Sequence, residues 1–440
     1  MSSHPASARQ RPAVIARRSL PAGLIAATAV TAIAGLWLTL SGTYLGTPLA
    51  PFLMSWAPHP AWPVLIGAGV ALGAAGLAPW AMARVRGRAA FGLVLYAGSL
   101  AVGLAVNAAR WGPSGWSHVF DLGRRGSFEA SREYLPALAQ LHQGVRHYVG
   151  HFASLLPYLP THAKGNPPGP VVAMHLLGIT TAGRLAAVCI AAAALSAPLA
   201  YLLGRELGDE RRGRLAGILM IFSPAAVLFG VTSVDAVFTA LGTAAAWLLI
   251  SPRPGRRAIG CALVAVATFS SWVLLAIPAW AVLVTLRREG GRAAAVLAVW
   301  LVGAVLLFTA ALAVLLDYDP VGILRALTRI YGAGAAAHRP YEFWLFGSPA
   351  AWTAMLGLPI AWFAARALTG GDPAALALAA IIVISTVAGF TKAETERIWL
   401  PFVPLACVAA AALPIGRLRP LLGALAVQAL VVEVLFGTVW

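Results

Sequence analysis

The sequence predicts an all-α, polytopic transmembrane helical bundle, and three observations carry that prediction. Of its 440 residues, 60% are hydrophobic and only 11% charged, against roughly 25% charged in a soluble domain. Apolar runs recur from Leu20 to Trp440, and many are long enough for a hydrocarbon core of about 30 Å, which takes about 20 helical residues. The runs are continuous and rich in Ala, Leu and Val, whereas a barrel would show short alternating segments.

Taken in chain order, the first 21 residues read as a basic cytoplasmic tail. The run behind it is too long for a signal-peptide core and lacks a convincing cleavage site, so it reads as a retained span. The apolar runs fall at 22–42, 62–83, 89–109, 183–203, 215–233, 235–251, 258–270, 272–286, 293–315, 349–367, 373–390, 399–414 and 421–439, which gives about 11–13 spans. The pair between Ile259 and Leu286 is flanked by Arg253, Arg256 and Arg257 on one side and by Arg287, Arg288 and Arg292 on the other. A single span would put one basic cluster outside, so the positive-inside rule predicts two short helices turning near Ser270 and Ser271. Cys189, Cys261 and Cys407 lie inside apolar runs and read as small core residues. No internal repeat or low-complexity linker interrupts the chain, so 1–440 reads as one domain.

A formal charge of +17 would suggest nucleic acid in a soluble protein, but here the basic residues cluster between apolar runs, which is a topology signal. With the N-terminus cytoplasmic, the inner segments hold twenty of the 32 basic residues, Arg9 and those named above among them. The acids run the other way: Asp121, Glu129, Glu133, Asp235, Asp317, Asp319, Glu342, Glu394 and Glu396 fall outside. The expected location is therefore the plasma membrane, multi-pass, with the chemically capable segments extracytoplasmic and no nucleic-acid partner.

The outer segment 110–169 is long for a structureless loop. Tyr134, Leu135, Leu138, Leu141, Val145, Tyr148 and Val149 share a stripe, with His142, Arg146 and His147 opposite, which predicts amphipathic helices lying at the membrane surface. Asp121 follows an aromatic stretch and reads either as a general base of raised pKa or as a helix cap. Glu129 and Glu133, at i and i+4, read either as paired carboxylates or, with Arg125 and Arg132, as a solvated face.

THAKGNPPGP, Thr161–Pro170, fixes a rigid backbone on which His162, Lys164 and Asn166 present donors to a phosphate or sugar; a stiff turn back into the membrane is the plainer account. KAETERIW, Lys392–Trp399, places Glu394, Glu396 and Arg397 at a membrane boundary, to hold a lipid phosphate and sugar hydroxyls or simply as an exposed loop with its own ion pair. Arg339 lies among aromatics between Arg329 and Trp344, a mix that suits a sugar or lipid-phosphate surface and equally an interfacial belt. Asp235 reads as a cap for the following helix; Asp317, Tyr318 and Asp319 before Pro320 could bind a cation, and a turn is the plainer account. His147 and His151 have no adjacent glutamate to make a zinc helix motif, and no metal site is expected.

Taken together, the acidic loop from Asp121 through Glu133, the NPPGP turn, the Tyr331–Trp344 stretch and ETERIW followed by Pro401 resemble the GT-C superfamily of polyprenyl-phosphate-dependent membrane glycosyltransferases, in particular actinobacterial mannosyltransferase-like proteins. The resemblance spans most of the chain in the same order. It implies a polyprenyl-phosphate sugar donor used outside the cytoplasm and inverting transfer of a mannose-like sugar to a glycan, lipid or protein hydroxyl. It would make Asp121 the general base, with Glu133, His162, Lys164, Asn166, Arg339, Glu394, Glu396 and Arg397 binding substrate. Arginine or a divalent cation (Mg or Mn) would meet the departing phosphate charge. A histidine often precedes the two prolines in the resembling pattern, where this chain has Asn166, which cannot carry a proton. A transporter or lipid flippase is the alternative, but it should show charges near mid-membrane and often a repeat between halves.

Overall fold

A computed structural model describes residues 11–123, 127–389 and 391–440; Arg9 and Arg125 lie outside the described residues. The protein is a helical bundle, and six helices are long and apolar enough to cross a membrane alone: Ser19–Leu40, Pro63–Arg84, Arg88–His118, Ala182–Leu207, Gly291–Leu316 and Leu418–Leu435. Two bent pairs raise the number to eight, fewer than the 11–13 expected. Every apolar run does form helix, but several are short. Asp235–Leu249 and Pro373–Val387 have 15 residues each, which at 1.5 Å per residue gives only about 22 Å. The expected basic tail is helical from Arg11, continuous with the first span.

The breaks have local causes. Glu210–Phe222 and Pro224–Thr232 meet at 62°, where Pro224 removes an amide donor from the ladder, and Tyr341–Leu356 meets Leu358–Thr369 at 111° across Gly357. Gly357 has φ +102°, and a Cβ there would lie 2.3 Å from Leu425, so only glycine fits. The two bends touch: the Ser223 hydroxyl donates to the Leu356 carbonyl at 2.9 Å, satisfying an acceptor that the bend releases.

Gly291–Leu316 leaves Leu306, Leu307 and Val314 between 63% and 78% exposed, an apolar flank with no protein against it. That is how a helix facing lipid reads. Between Trp399 and Ala411, by contrast, only Pro401 and Pro404 interrupt a run of fully buried apolar residues, so the short helices sit at the centre. The pair expected around Ser270 and Ser271 is present as Pro254–Thr268 and Ala276–Glu289. Cys189, Cys261 and Cys407 are buried and free.

Ion pairs divide into two sets that match the loop alternation. Arg205 and Arg214 with Glu210, Arg212 with Asp372, Arg256 with Glu206, and Arg257 with Glu289 join segments expected on the basic face. Arg146 with Asp317, His162 with Glu129, Arg339 with Glu394, and Arg397 with Asp235 and Glu394 join segments expected on the acidic face. Among the described residues no ion pair crosses between the sets.

The long segment of the acidic end differs from expectation. It forms short 3-10 and α turns, Leu135–Gln143, Val145–Gly150 and Phe152–Leu155, and the predicted stripe faces protein: Tyr134, Leu141, Tyr148, Val149 and Phe152 are all buried in the main core. Pro136, Gly144 and the turn at His151 keep any helix from growing long enough to float on a membrane. At the same end β1 (Met54–Trp56) pairs antiparallel with β2 (Phe436–Thr438), Ser55 opposite Gly437.

Candidate functional site

Asp235 opens the helix Asp235–Leu249, yet its carboxylate does not cap that helix. It accepts from the Ser233 hydroxyl at 2.7 Å and from the Arg397 guanidinium, and it is only 5% exposed. The cap reading is thereby replaced by a buried ion pair, because the turn at Ser233 and Val234 aims the carboxylate across the bundle.

Arg397 lies in the short helix Thr395–Ile398, entered through two consecutive left-handed residues, Ala393 (φ 67°) and Glu394 (φ 60°). Non-glycine residues in that region cost on the order of 1–3 kcal/mol each, and such outliers cluster at ligand sites. The surroundings hold the turn in place. Thr395 donates to the Ser348 carbonyl at 2.6 Å, and Arg339 donates to the Lys392 carbonyl at 2.6 Å while Lys392 donates back to the Arg339 carbonyl at 3.2 Å. Beneath Arg339 is Gly46, where a Cβ would come within 2.5 Å of the arginine stem. Glu394 then bridges two cations, accepting from Arg339 at 2.8 Å and from Arg397 at 3.4 Å.

The NPPGP region closes the other side. His162 Nδ1 lies 3.4 Å from Arg397, and its Nε2 lies 2.7 Å from Glu129 and 3.8 Å from Glu133. Asn166 is a splice between three segments: its amide donates to the Tyr134 hydroxyl at 2.8 Å and to the His162 carbonyl at 3.2 Å, and its carbonyl accepts from the Ser271 hydroxyl at 2.6 Å. Gly169 lets the turn dock, its N–H donating to the Phe269 carbonyl at 2.9 Å; a Cβ there would lie 2.2 Å from that same oxygen. The Trp440 ring covers the Arg397 guanidinium at 4.1 Å and stands edge-on to His162.

The electrostatics are those of a desolvated cluster. Burial raises the Glu133 carboxyl above the ordinary carboxylate range, only partly opposed by His162 and Arg397. Burial works against the charged imidazolium of His162, but Glu133 and the bond to Glu129 outweigh it and hold the pKa above the usual histidine value. For Glu394, burial is overcome by Arg339 and Arg397, and its pKa falls. Both Glu133 oxygens, one Glu129 oxygen, Arg397 Nε and Trp440 Nε1 are buried without a hydrogen-bond partner in the protein. Such groups each cost roughly 1–3 kcal/mol unless something polar meets them.

Of the residues singled out in the sequence, Glu133, His162, Arg339, Glu394 and Arg397 meet here, and Asn166 braces them. Glu396 faces the other way, accepting from the Leu53 N–H at 2.7 Å. The Lys164 ammonium and Asp121 take no part in these bonds; Asp121 is half-buried and accepts from the Gly123 N–H at 2.9 Å in a local turn. Glu129 lies on the 3-10 turn Phe128–Arg132 and Glu133 directly follows it; both are buried, and the solvated-face reading does not hold for them. Asp317 pairs with Arg146 at the surface and Asp319 caps the helix Pro320–Ala333, as a turn should. Trp440 carries no sequence signal beyond being aromatic, and Tyr134 is legible only as part of the apolar stripe. Among the described residues, no three His, Cys, Asp or Glu side chains converge as a metal-binding set.

Comparison with known protein families, curated proteins and solved structures found no match for this chain.

Proposed function

We propose that this protein is a membrane glycosyltransferase that takes a mannose-like sugar from a polyprenyl-phosphate donor and passes it to a glycan, lipid or protein hydroxyl on the extracytoplasmic face of the plasma membrane. The observation that carries the reading is the buried Arg397, ringed by Asp235, Glu394 and His162 at the acid-rich end of an apolar bundle. A lipid phosphate is an anionic head on an apolar tail, and a desolvated guanidinium within an apolar membrane bundle suits the head.

In this reading Arg397, with His162 beside it, takes the phosphate charge that develops as the bond to the anomeric carbon breaks. The acceptor oxygen forms the new bond from the opposite face and gives its proton to a carboxylate. The resemblance makes Asp121 that base, but Glu133 is better placed: it lies beside His162, and with its raised pKa it is, once ionised, a stronger base than a solvated carboxylate. An enzyme is favoured over a transporter, which needs charges near mid-membrane, because the ion pairs fall into two sets joining loop segments.

The test is reconstitution in liposomes with radiolabelled polyprenyl-phosphate mannose and a lipid extract as acceptor. The expected result is labelled product, with a loss of about 100-fold in Arg397→Gln and a comparable loss in Glu133→Gln. If Asp121→Ala is silent and Glu133→Gln is dead, the base is Glu133; the reverse returns it to Asp121. Donor left intact while labelled lipid changes leaflet would replace the enzyme by a flippase.

A further inference from the structure

We infer that the segment Phe436–Trp440 is a strap that closes over the Arg397 cluster, and that an anionic ligand reaches the guanidinium only after Trp440 leaves its face. The ligand half of this inference rests on the reading of Arg397 as an anion-binding group; the strap itself does not.

Arg397 is enclosed by its neighbours. Asp235 and Glu394 occupy the outer nitrogens, His162 stands 3.4 Å from one of them, and the Trp440 ring covers the flat face at 4.1 Å, itself wedged edge-on against Phe229 at 6.1 Å. Arg397 is 5% exposed as a result. The carboxylates stand at or beside helix starts, Asp235 opening the helix Asp235–Leu249 and Glu394 preceding the helix Thr395–Ile398, whereas Trp440 follows the three-residue strand Phe436–Thr438.

The segment is held by the three-residue β1–β2 pair, by the edge contact of Trp56 with Phe436, by the Trp440 ring against Phe229, His162 and Arg397, and by the Arg110 guanidinium, which donates to the Phe436 carbonyl at 3.0 Å and to the Ala57 carbonyl at 2.8 Å. A two-stranded ribbon is marginal by itself. The closed arrangement also leaves Trp440 Nε1 and Arg397 Nε buried without partners. A core built for permanence satisfies its donors; this one would gain hydrogen bonds on opening to water or a ligand.

The strap can be locked chemically. Ser55 and Gly437 are register partners, and a Cβ at 437 would lie 3.2 Å from the Ser55 hydroxyl oxygen, within reach of a cross-strand disulfide. In a chain whose three native cysteines are alanine, Ser55→Cys and Gly437→Cys make the lock and Ser233→Cys places a thiol beside Asp235. Labelling of position 233 by an anionic methanethiosulfonate, read by peptide mass spectrometry, should be slow in the oxidised form and rise about tenfold or more on reduction, the strap contact being a weak one. It should be fast in both forms when Trp440→Ala is added, and follow the parent pattern with Trp440→Phe. Equal rates in the locked and reduced forms overturn the strap. So does absence of labelling even with Trp440→Ala, since removing the ring must open the route if the ring is what closes it. A polyprenyl phosphate that fails to slow labelling of the reduced form leaves the strap standing and removes Arg397 as the anion site.

Discussion

Arg397 donates to the Asp235 carboxylate across 162 residues of chain, and neither group has more than a few per cent of its surface in water. Removing one partner of a buried pair strands the other charge, at a cost of about 3–5 kcal/mol, whereas replacing both by apolar groups of similar volume is often close to neutral. Arg397→Met and Asp235→Leu should each lower the thermal midpoint in detergent sharply, and the double substitution should recover most of the loss. Additive losses would mean that the two side chains do not act as a pair.

Glu396 is buried against the Leu53 amide, and burial pushes its pKa up to about 7 from 4.5. The folded state therefore holds a proton that the unfolded chain releases between those values, so stability is full below pH 4.5 and falls as pH rises to 7. At about 1.4 kcal/mol per pH unit the fall is on the order of 3 kcal/mol. Glu396→Gln keeps the acceptor for Leu53 and should flatten the melting temperature across this window; an unchanged slope would assign the dependence to other groups.

Asn166→Ala removes the bonds that tie Tyr134 and Ser271 to the NPPGP turn. With side-chain hydrogen bonds worth roughly 1 kcal/mol each, the expected loss is about 1–3 kcal/mol in a denaturation series. A change confined to activity would instead make Asn166 a substrate ligand.

Gly169→Ala should be worse than its size suggests. The new methyl would enter the Phe269 carbonyl, a backbone atom that cannot swing aside, and overpacking of this kind costs about 1–3 kcal/mol or more. A monodisperse peak of parental height in size exclusion would show that the turn can relax.

The chain has two lysines, Lys164 and Lys392. His162, two residues from the first, is linked through Arg397 to Glu394, two residues from the second, so both ammonium groups belong to one end of the bundle. An impermeant amine reagent should label both from the same side of sealed vesicles, and the side that labels fixes the orientation. Labelling from opposite sides would dismantle the assembled site.

What the sequence disclosed depends on which forces are local. Helices and their alternation are legible because hydropathy and arginine clusters act within one segment, and charge alone places the Ser270–Ser271 turn. The number of full-length spans is not, because an apolar run of 15 residues looks like part of a span until its packing is known. Within the site, His162, Glu394 and Arg397 stand out as charges at a membrane boundary. Asp235 reads as a cap because its partner lies far away in sequence, and Trp440 is one tryptophan among fifteen. Neither carries a local signal, since each is defined by what the fold brings opposite it.

The pairing of Asp235 with Arg397 also orders events in time. Chains are made and inserted from the N-terminal side, so Glu129, Glu133, His162 and Asp235 are all in place before the arginine that neutralises them is synthesised. Until then that end of the nascent bundle holds three carboxylates, Asp235 without its guanidinium and Glu129 and Glu133 with His162 and Arg132 beside them, in a cleft that has to stay hydrated. The arrival of Arg397, followed by the helix Leu418–Leu435 and Trp440, dries and seals it, and biogenesis arrested before that point should leave a water-filled, open-mouthed intermediate.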